Sequence, residues 1–312
     1  MADAGRKLSL AAWAWVLFAG LATFELVAHP VILEAIPDDA SWEEASAFVR
    51  AQFERGDRIV AAPRWTDPIV RKELGDLTPL RIAALADGAG VGRVWELGIR
   101  GATTRPDIPA QERDFNGIRV RMWPVESPVL VYDFVANIED ARVELETDEG
   151  PRTCPWTRGR PAPGGLERGP MRPEERFVCD AKRPWLWVGP TVLADLELQP
   201  RRCIWQHPAG PTAVRTIFSD VPLGTRLIVR GGVDYQIARQ RAHAPVTLRV
   251  WIDDAIAAEW DHHDGDGWSG FDIDTSARDG SLATVRFETT APDPFARLFC
   301  FAASSQRELR GD

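Results

Sequence analysis

Val246-Thr247-Leu248-Arg249-Val250-Trp251-Ile252 is the stretch that decides the fold. Val246, Leu248, Val250 and Ile252 fall on one face of an extended chain and Thr247, Arg249 and Trp251 on the other, the period-two pattern of a strand with one wet side. Thr284-Val285-Arg286-Phe287-Glu288 repeats it. From Ile118 onward the same grammar recurs in short segments separated by Pro, Gly and Asp: Ile118 to Trp123, Val129 to Val135, Ala141 to Leu145, Trp185 to Val188, Val214 to Phe218, Leu227 to Val229, Gly270 to Ile273, Ala283 to Glu288 and Arg297 to Ala302. Many short strands of this kind predict an antiparallel β-sandwich over 116–312. Gly150 to Pro173, rich in Pro, Gly and Arg, reads as a long loop.

Upstream the pattern is different. Ser41-Trp42-Glu43-Glu44 fits a capping box, and Trp42, Ala45, Phe48, Val49 and Phe53 follow at helical spacing until Gly56. Arg58 to Ala62 reads as a buried strand ended by Pro63, Asp67-Pro68 opens a helix toward Leu74, Leu80 to Ala86 is a further helix, and Arg93 to Ile99 is extended again. Helix alternating with strand predicts a small α/β domain over 38–115. The fold class expected for the whole chain is therefore α+β.

The first thirty residues carry a third signal. Arg6 and Lys7 precede Leu8 to Phe24, seventeen residues without a charge. At about 1.5 Å per residue they span roughly 25 Å, a little under a hydrocarbon core, with Glu25 able to snorkel and Leu26 to Ala28 extending the apolar run. The expectation is an N-terminal transmembrane helix over 1–30, its N-terminus cytoplasmic by the positive-inside rule and the body membrane-anchored and extracytoplasmic. A cleaved signal peptide, with Gly20-Leu21-Ala22 as its site, is the competing reading.

The chain has 312 residues and a formal net charge of −9. Its basic residues are dispersed, which argues against nucleic acid as a partner. All four cysteines lie between residues 154 and 300, and an even number in an exported chain reads as disulfides. Of the three possible connectivities, Cys154 with Cys179 and Cys203 with Cys300 are favoured: the first pair flanks one loop, and the second joins an early strand to the last. A buried free thiol at Cys300 is the alternative.

Gly56-Asp57-Arg58-Ile59-Val60-Ala61-Ala62-Pro63-Arg64-Trp65 and Arg93-Val94-Trp95-Glu96-Leu97, within residues 41–102, resemble the small extracytoplasmic α/β domain of multi-spanning glycosyltransferases of the mannosyltransferase type. The many spans and the acidic catalytic loop of those enzymes are absent, so the resemblance carries over no catalytic residue. Asp220-Val221-Pro222-Leu223-Gly224, Val246 to Asp254, Asp266-Gly267-Trp268 and the closing strand Arg297 to Ala302 resemble a galactose-binding-like jelly roll. That resemblance implies carbohydrate binding or a spacer role in the cell envelope.

Trp260-Asp261-His262-His263-Asp264-Gly265-Asp266-Gly267-Trp268 is the densest group of ligand-type side chains. Trp260 and Trp268 could stack on a sugar, with His262, His263, Asp264 and Asp266 beside them. The same residues also suit a plain hairpin turn, and they fail the EF-hand pattern. Trp185 and Trp187 alternate about Leu186, so both indoles would share one strand face, either as a sugar platform or as core. His207, before Pro208, reads as a loop residue with one hydrogen bond. Gly88-Ala89-Gly90-Val91-Gly92 follows a helix rather than a strand, the wrong order for a dinucleotide loop. There is no Gly-x-Ser-x-Gly elbow, His-Glu-x-x-His or P-loop, and no cofactor or metal is indicated. Acidic pairs such as Asp253 with Asp254 and Asp272 with Asp274 sit at strand ends, where solvated faces are expected.

The function expected is that of a non-catalytic carbohydrate-binding or assembly module of the periplasmic or envelope compartment, with a glycan or a glycan-synthesis enzyme as partner. Two alternatives stand beside it: a glycan-modifying or glycosyltransferase-related enzyme with its site between the two domains, and a purely structural scaffold of a membrane complex.

Overall fold

The computed structural model describes residues 10–34, 36–78, 90–164 and 171–308. The chain divides into two compact units, Met1–Thr78 with Arg93–Pro124, and Pro79–Gly92 with Val125–Asp312. The expected helix from Leu80 to Ala86 lies outside the described residues. Strand makes up 43% of the structure and helix 19%, so the expected α+β class is corrected to a mainly β chain.

The first helix, α1 (Leu10–Glu34), corrects the expected membrane span. Among the described residues no helix is long and apolar enough to cross a membrane. The uncharged part of α1 stops at Phe24, because Glu25 follows inside the helix, and Leu10 to Phe24 falls short of the roughly 20 apolar residues a crossing requires. The expectation of a membrane partner through this helix falls with it. Trp13, Trp15, Leu17, Phe18 and Phe24 are exposed on it.

In the first unit α2 (Asp39–Gln52) buries Trp42, Ala45 and Val49. Its cap is Asp38 rather than the expected Ser41: the Asp38 carboxylate accepts from Ser41 N at 2.9 Å, and Ser41 is buried one turn in. Helix α3 (Asp67–Leu74) carries Pro68 in its first turn. Strands β1 (Asp57–Ala62), β2 (Arg93–Ile99), β3 (Gln111–Phe115) and β4 (Ile118–Pro124) form one sheet in the order β1-β2-β4-β3, with β1 and β2 parallel. Trp95, Leu97, Ile118 and Val120 join the helix residues in its core.

The second unit contains β5 (Val129–Asp133), β6 (Arg142–Leu145), β7 (Arg152–Cys154), β8 (Trp156–Arg158), β9 (Glu175–Val178), β10 (Trp187–Ala194) and β11 (Pro200–Gln206). It continues with β12 (Val214–Pro222), β13 (Arg226–Val233), β14 (Val246–Ile252), β15 (Ala255–His262), β16 (Ser269–Asp274), β17 (Leu282–Thr290) and β18 (Phe299–Arg307). One sheet runs β16-β13-β18-β11-β10-β9-β8, with β5 also on β18; the other runs β15-β14-β17-β12-β6-β7. The alternation read in Val246 to Ile252 is present, since Val246, Leu248, Val250 and Ile252 are buried and the residues between them are not. Phe134 meets Phe218 and Phe287 edge to face at 4.9 and 5.1 Å, and Phe287 of one sheet reaches Phe301 of the other at 4.7 Å. Each such ring contributes about 1.5–3 kcal/mol by leaving water, so this aromatic cluster ties the two sheets together.

Two local expectations change. Gly150 to Pro173 is not all loop, because β7, β8 and an Ala162–Arg172 bridge lie within it. Trp185 sits in a turn ahead of β10 rather than in a strand, the chain being bent by the Leu186 N to Arg183 O hydrogen bond. Disulfides join Cys154 to Cys179 and Cys203 to Cys300, the two pairs favoured from the sequence.

Candidate functional site

An open cleft of about 440 Å³ lies in the second unit where β8 to β11 meet the short turn Ile138–Asp140. Antiparallel pairing sets Trp156 opposite Phe177 and Arg158 opposite Glu175, so these four side chains share a face. Phe177 is buried and braces the half-buried Trp156 edge to face at 4.7 Å. The Cys154–Cys179 disulfide clamps the two strands at the same end. Val135, Ile138, Pro173 and Pro190 supply apolar wall, while Glu139, Glu174 and Arg202 add charge.

Arg158, Glu174, Glu175 and Arg202 are each paired. Arg158 contacts Glu174 at 3.3 Å and Glu175 at 3.2 Å, and its side chain is 71% exposed. Exposed pairs of this kind contribute about 0–1 kcal/mol, so a ligand can replace them at little cost. Arg202 is more enclosed and donates to Asp133 at 2.8 Å; Asp133 in turn accepts from the backbone N–H groups of Val135 and Ala136. Together they fix the turn that carries Glu139. The arrangement offers an aromatic face flanked by carboxylate acceptors and guanidinium donors.

Of the residues singled out from sequence, the group from Trp260 to Trp268 does not converge. His262 is fully buried, its Nε2–H donating to the Gly267 carbonyl at 3.0 Å; burial holds its pKa below the usual imidazole value, against the pull of that hydrogen bond. Asp264 points inward too, accepting from His243 Nδ1 and Arg297 Nη2, both at 2.8 Å. Burial alone would raise its pKa, but those two donors outweigh it and keep the group ionised below the usual carboxylate range. His263 and Asp266 face outward, with Asp266 accepting from the His263 backbone N–H. Trp260 packs edge to face on His262 and Phe271, and Trp268 lies under the Arg201 guanidinium. Among the described residues no three His, Cys, Asp or Glu side chains gather as a metal site.

Trp187 is buried and stacks on Trp205 at 5.3 Å, whereas Trp185 keeps 36% of its surface exposed against His207 at 4.5 Å. They do not form a paired platform. His207 is itself buried, its Nδ1–H donating to the Pro208 carbonyl at 2.8 Å. Burial lowers its pKa to about 4, the Pro208 bond opposes, and the nearby Arg297 cation adds to the lowering.

Sequence reading passed over Trp156, Arg158, Glu139 and Arg202. A signal existed for Trp156: it is a lone aromatic two residues after a cysteine in a segment rich in Pro, Gly and Arg.

No family model matches this chain, and no curated protein matches it. Among solved structures it is similar to the CBM51-2 and INT domains of Clostridium perfringens ZmpB, with a TM-score of 0.29 at 11% identity over 40% of this chain and 27% of that one. It is also similar to CBM51 from Clostridium perfringens GH95 in complex with methyl-galactose, with a TM-score of 0.27 at 11% identity over 38% and 79%. A third similarity is to the secreted serine protease VesC from Vibrio cholerae, with a TM-score of 0.26 at 12% identity over 61% and 29%. The match thus spans about a quarter of the ZmpB chain. At these scores the likenesses carry no argument about what this chain binds, and the mannosyltransferase resemblance gains no support from them.

Proposed function

We propose that the second unit is a non-catalytic carbohydrate-binding module of an extracytoplasmic protein, and that it takes a glycan in the cleft over Trp156. The observation that carries this is the indole of Trp156, braced by Phe177 and bordered by Arg158, Glu139 and Glu175. The C–H face of a pyranose stacks on such a ring, and vicinal hydroxyls pair with carboxylate and guanidinium groups around it. Glu174 and Glu175 share one arginine, which suits them to accept hydroxyl hydrogen bonds rather than to divide acid and base roles. Two disulfides support an oxidising compartment.

The test is a glycan array and affinity electrophoresis on the full chain and on Trp156→Ala. The expected result is a retained neutral or acidic glycan whose affinity drops at least tenfold in W156A, with Trp268→Phe binding as the parent does. No binding to any glycan, or binding unchanged in W156A, would overturn the reading.

A further inference from the structure

From the arrangement around β9 we infer a separate oxyanion site on Arg172 and Arg176, which takes a carboxylate or sulfate group on the face opposite Trp156. Arg176 pairs with Thr157 across the strands and so points away from the Trp156–Phe177 face. Its guanidinium lies over Gly159, where a Cβ would stand 2.8 Å from Nη2, and Nη1 donates to the Pro173 carbonyl at 2.7 Å. Gly159 therefore leaves the room the guanidinium occupies. Arg172 is pinned by its bridge to Ala162, and its Nε is buried with no hydrogen-bond partner.

Two half-buried cations side by side are unusual in a chain of net charge −9. Burial and the neighbouring Arg172 charge both depress the pKa of Arg176, and no carboxylate acts to restore it. The nearest acids in sequence, Glu174 and Glu175, are engaged by Arg158 on the cleft side. Among the described residues neither Arg172 nor Arg176 forms an ion pair. Like charges brought together without a counter-ion cost folding energy, and an orphaned buried N–H adds the loss of its own hydration. A bound oxyanion removes the first of these penalties, accepting from the terminal guanidinium nitrogens of Arg172 and from Arg176 Nη2, while Nη1 of Arg176 stays on the Pro173 carbonyl.

The experiment is thermal unfolding and calorimetric titration of the full chain with millimolar sodium sulfate, sodium phosphate and oligogalacturonate, each against sodium chloride at matched ionic strength. A saturable rise in Tm with at least one oxyanion is expected. Arg172→Gln and Arg176→Gln should weaken that binding about tenfold or more, as loss of a charge-assisted hydrogen bond does. If the variants fail to fold, saturation in the parent decides alone, because general salting-out grows without saturating. A linear or absent response in the parent, or unchanged affinity in folded variants, overturns the inference. Galacturonate binding without sulfate or phosphate binding assigns the site to an acidic sugar, and the reverse to a free ion. Trp156→Ala should leave this binding intact, so the site and the cleft stand or fall separately.

Discussion

His207 is the residue whose chemistry reaches furthest into stability. Its folded pKa of about 4 lies below the unfolded value near 6.5, so the unfolded chain takes up the proton first as pH falls. Stability is then full above about pH 6.5, declines toward pH 4, and is not lost further through this group below that. At 1.36 kcal/mol per unit the loss amounts to about 3 kcal/mol. His262, also lowered by burial, acts in the same direction, whereas Asp264 acts only below the usual carboxylate range and Asp234, raised by burial, opposes at the acid end. His207→Gln, which keeps a donor for Pro208, should flatten most of the slope in urea-derived unfolding free energy between pH 6.5 and 4. An unchanged slope would show that His207 is not the group responsible. The sequence around Cys203 to Pro208 announced a loop histidine with one hydrogen bond, and that bond exists. Burial was illegible there, because it comes from Trp185 and Trp205, brought over the ring by a turn and a strand that local pattern does not connect.

At the scale of elements, the two disulfides divide stability from binding. Cys203–Cys300 closes 97 residues and Cys154–Cys179 closes 25, for which chain entropy gives roughly 4.7 and 3.5 kcal/mol. The double variant Cys203→Ala with Cys300→Ala should therefore lose more stability by chemical denaturation. The double variant Cys154→Ala with Cys179→Ala should lose less, yet weaken glycan retention more, since it releases β8 and β9 where Trp156 and Arg158 are set. Equal binding losses in the two would detach the cleft from its clamp. Strand β14 was readable because one of its faces is buried and the other is not, which imposes period two on Val246 to Ile252. The cleft was not, because its residues come from β8, β9, β10, β11 and the Ile138–Asp140 turn, each contributing one or two side chains to no common motif. The membrane span was over-read at the same scale: the sequence reading carries the apolar run past a snorkelling Glu25 to Ala28, whereas the uncharged part of α1 ends at Phe24, short of crossing length.

At the scale of the whole molecule, two cores share no buried residue: one gathers Trp95, Leu97 and Ile118, the other Phe134, Phe287 and Phe301. Cooperative unfolding follows shared core, so two cores predict two heat-absorption transitions rather than one. Leu97→Ala, at a fully buried site in the first, should cost about 2–5 kcal/mol and lower one transition by roughly 10 °C or more while leaving the other in place. Phe287→Ala, equally buried in the second, should cost about 3–5 kcal/mol and move only the other transition. A glycan that occupies the Trp156 cleft binds the native second unit alone, and at a hundred times its Kd it raises that unit's stability by about 2.7 kcal/mol. Differential scanning calorimetry of the full chain with saturating glycan should therefore shift the transition that Phe287→Ala lowers and leave the one that Leu97→Ala lowers where it was. A single transition moved by both substitutions would mean that the units unfold as one, and a ligand shift in the first unit's transition would place the glycan elsewhere than over Trp156.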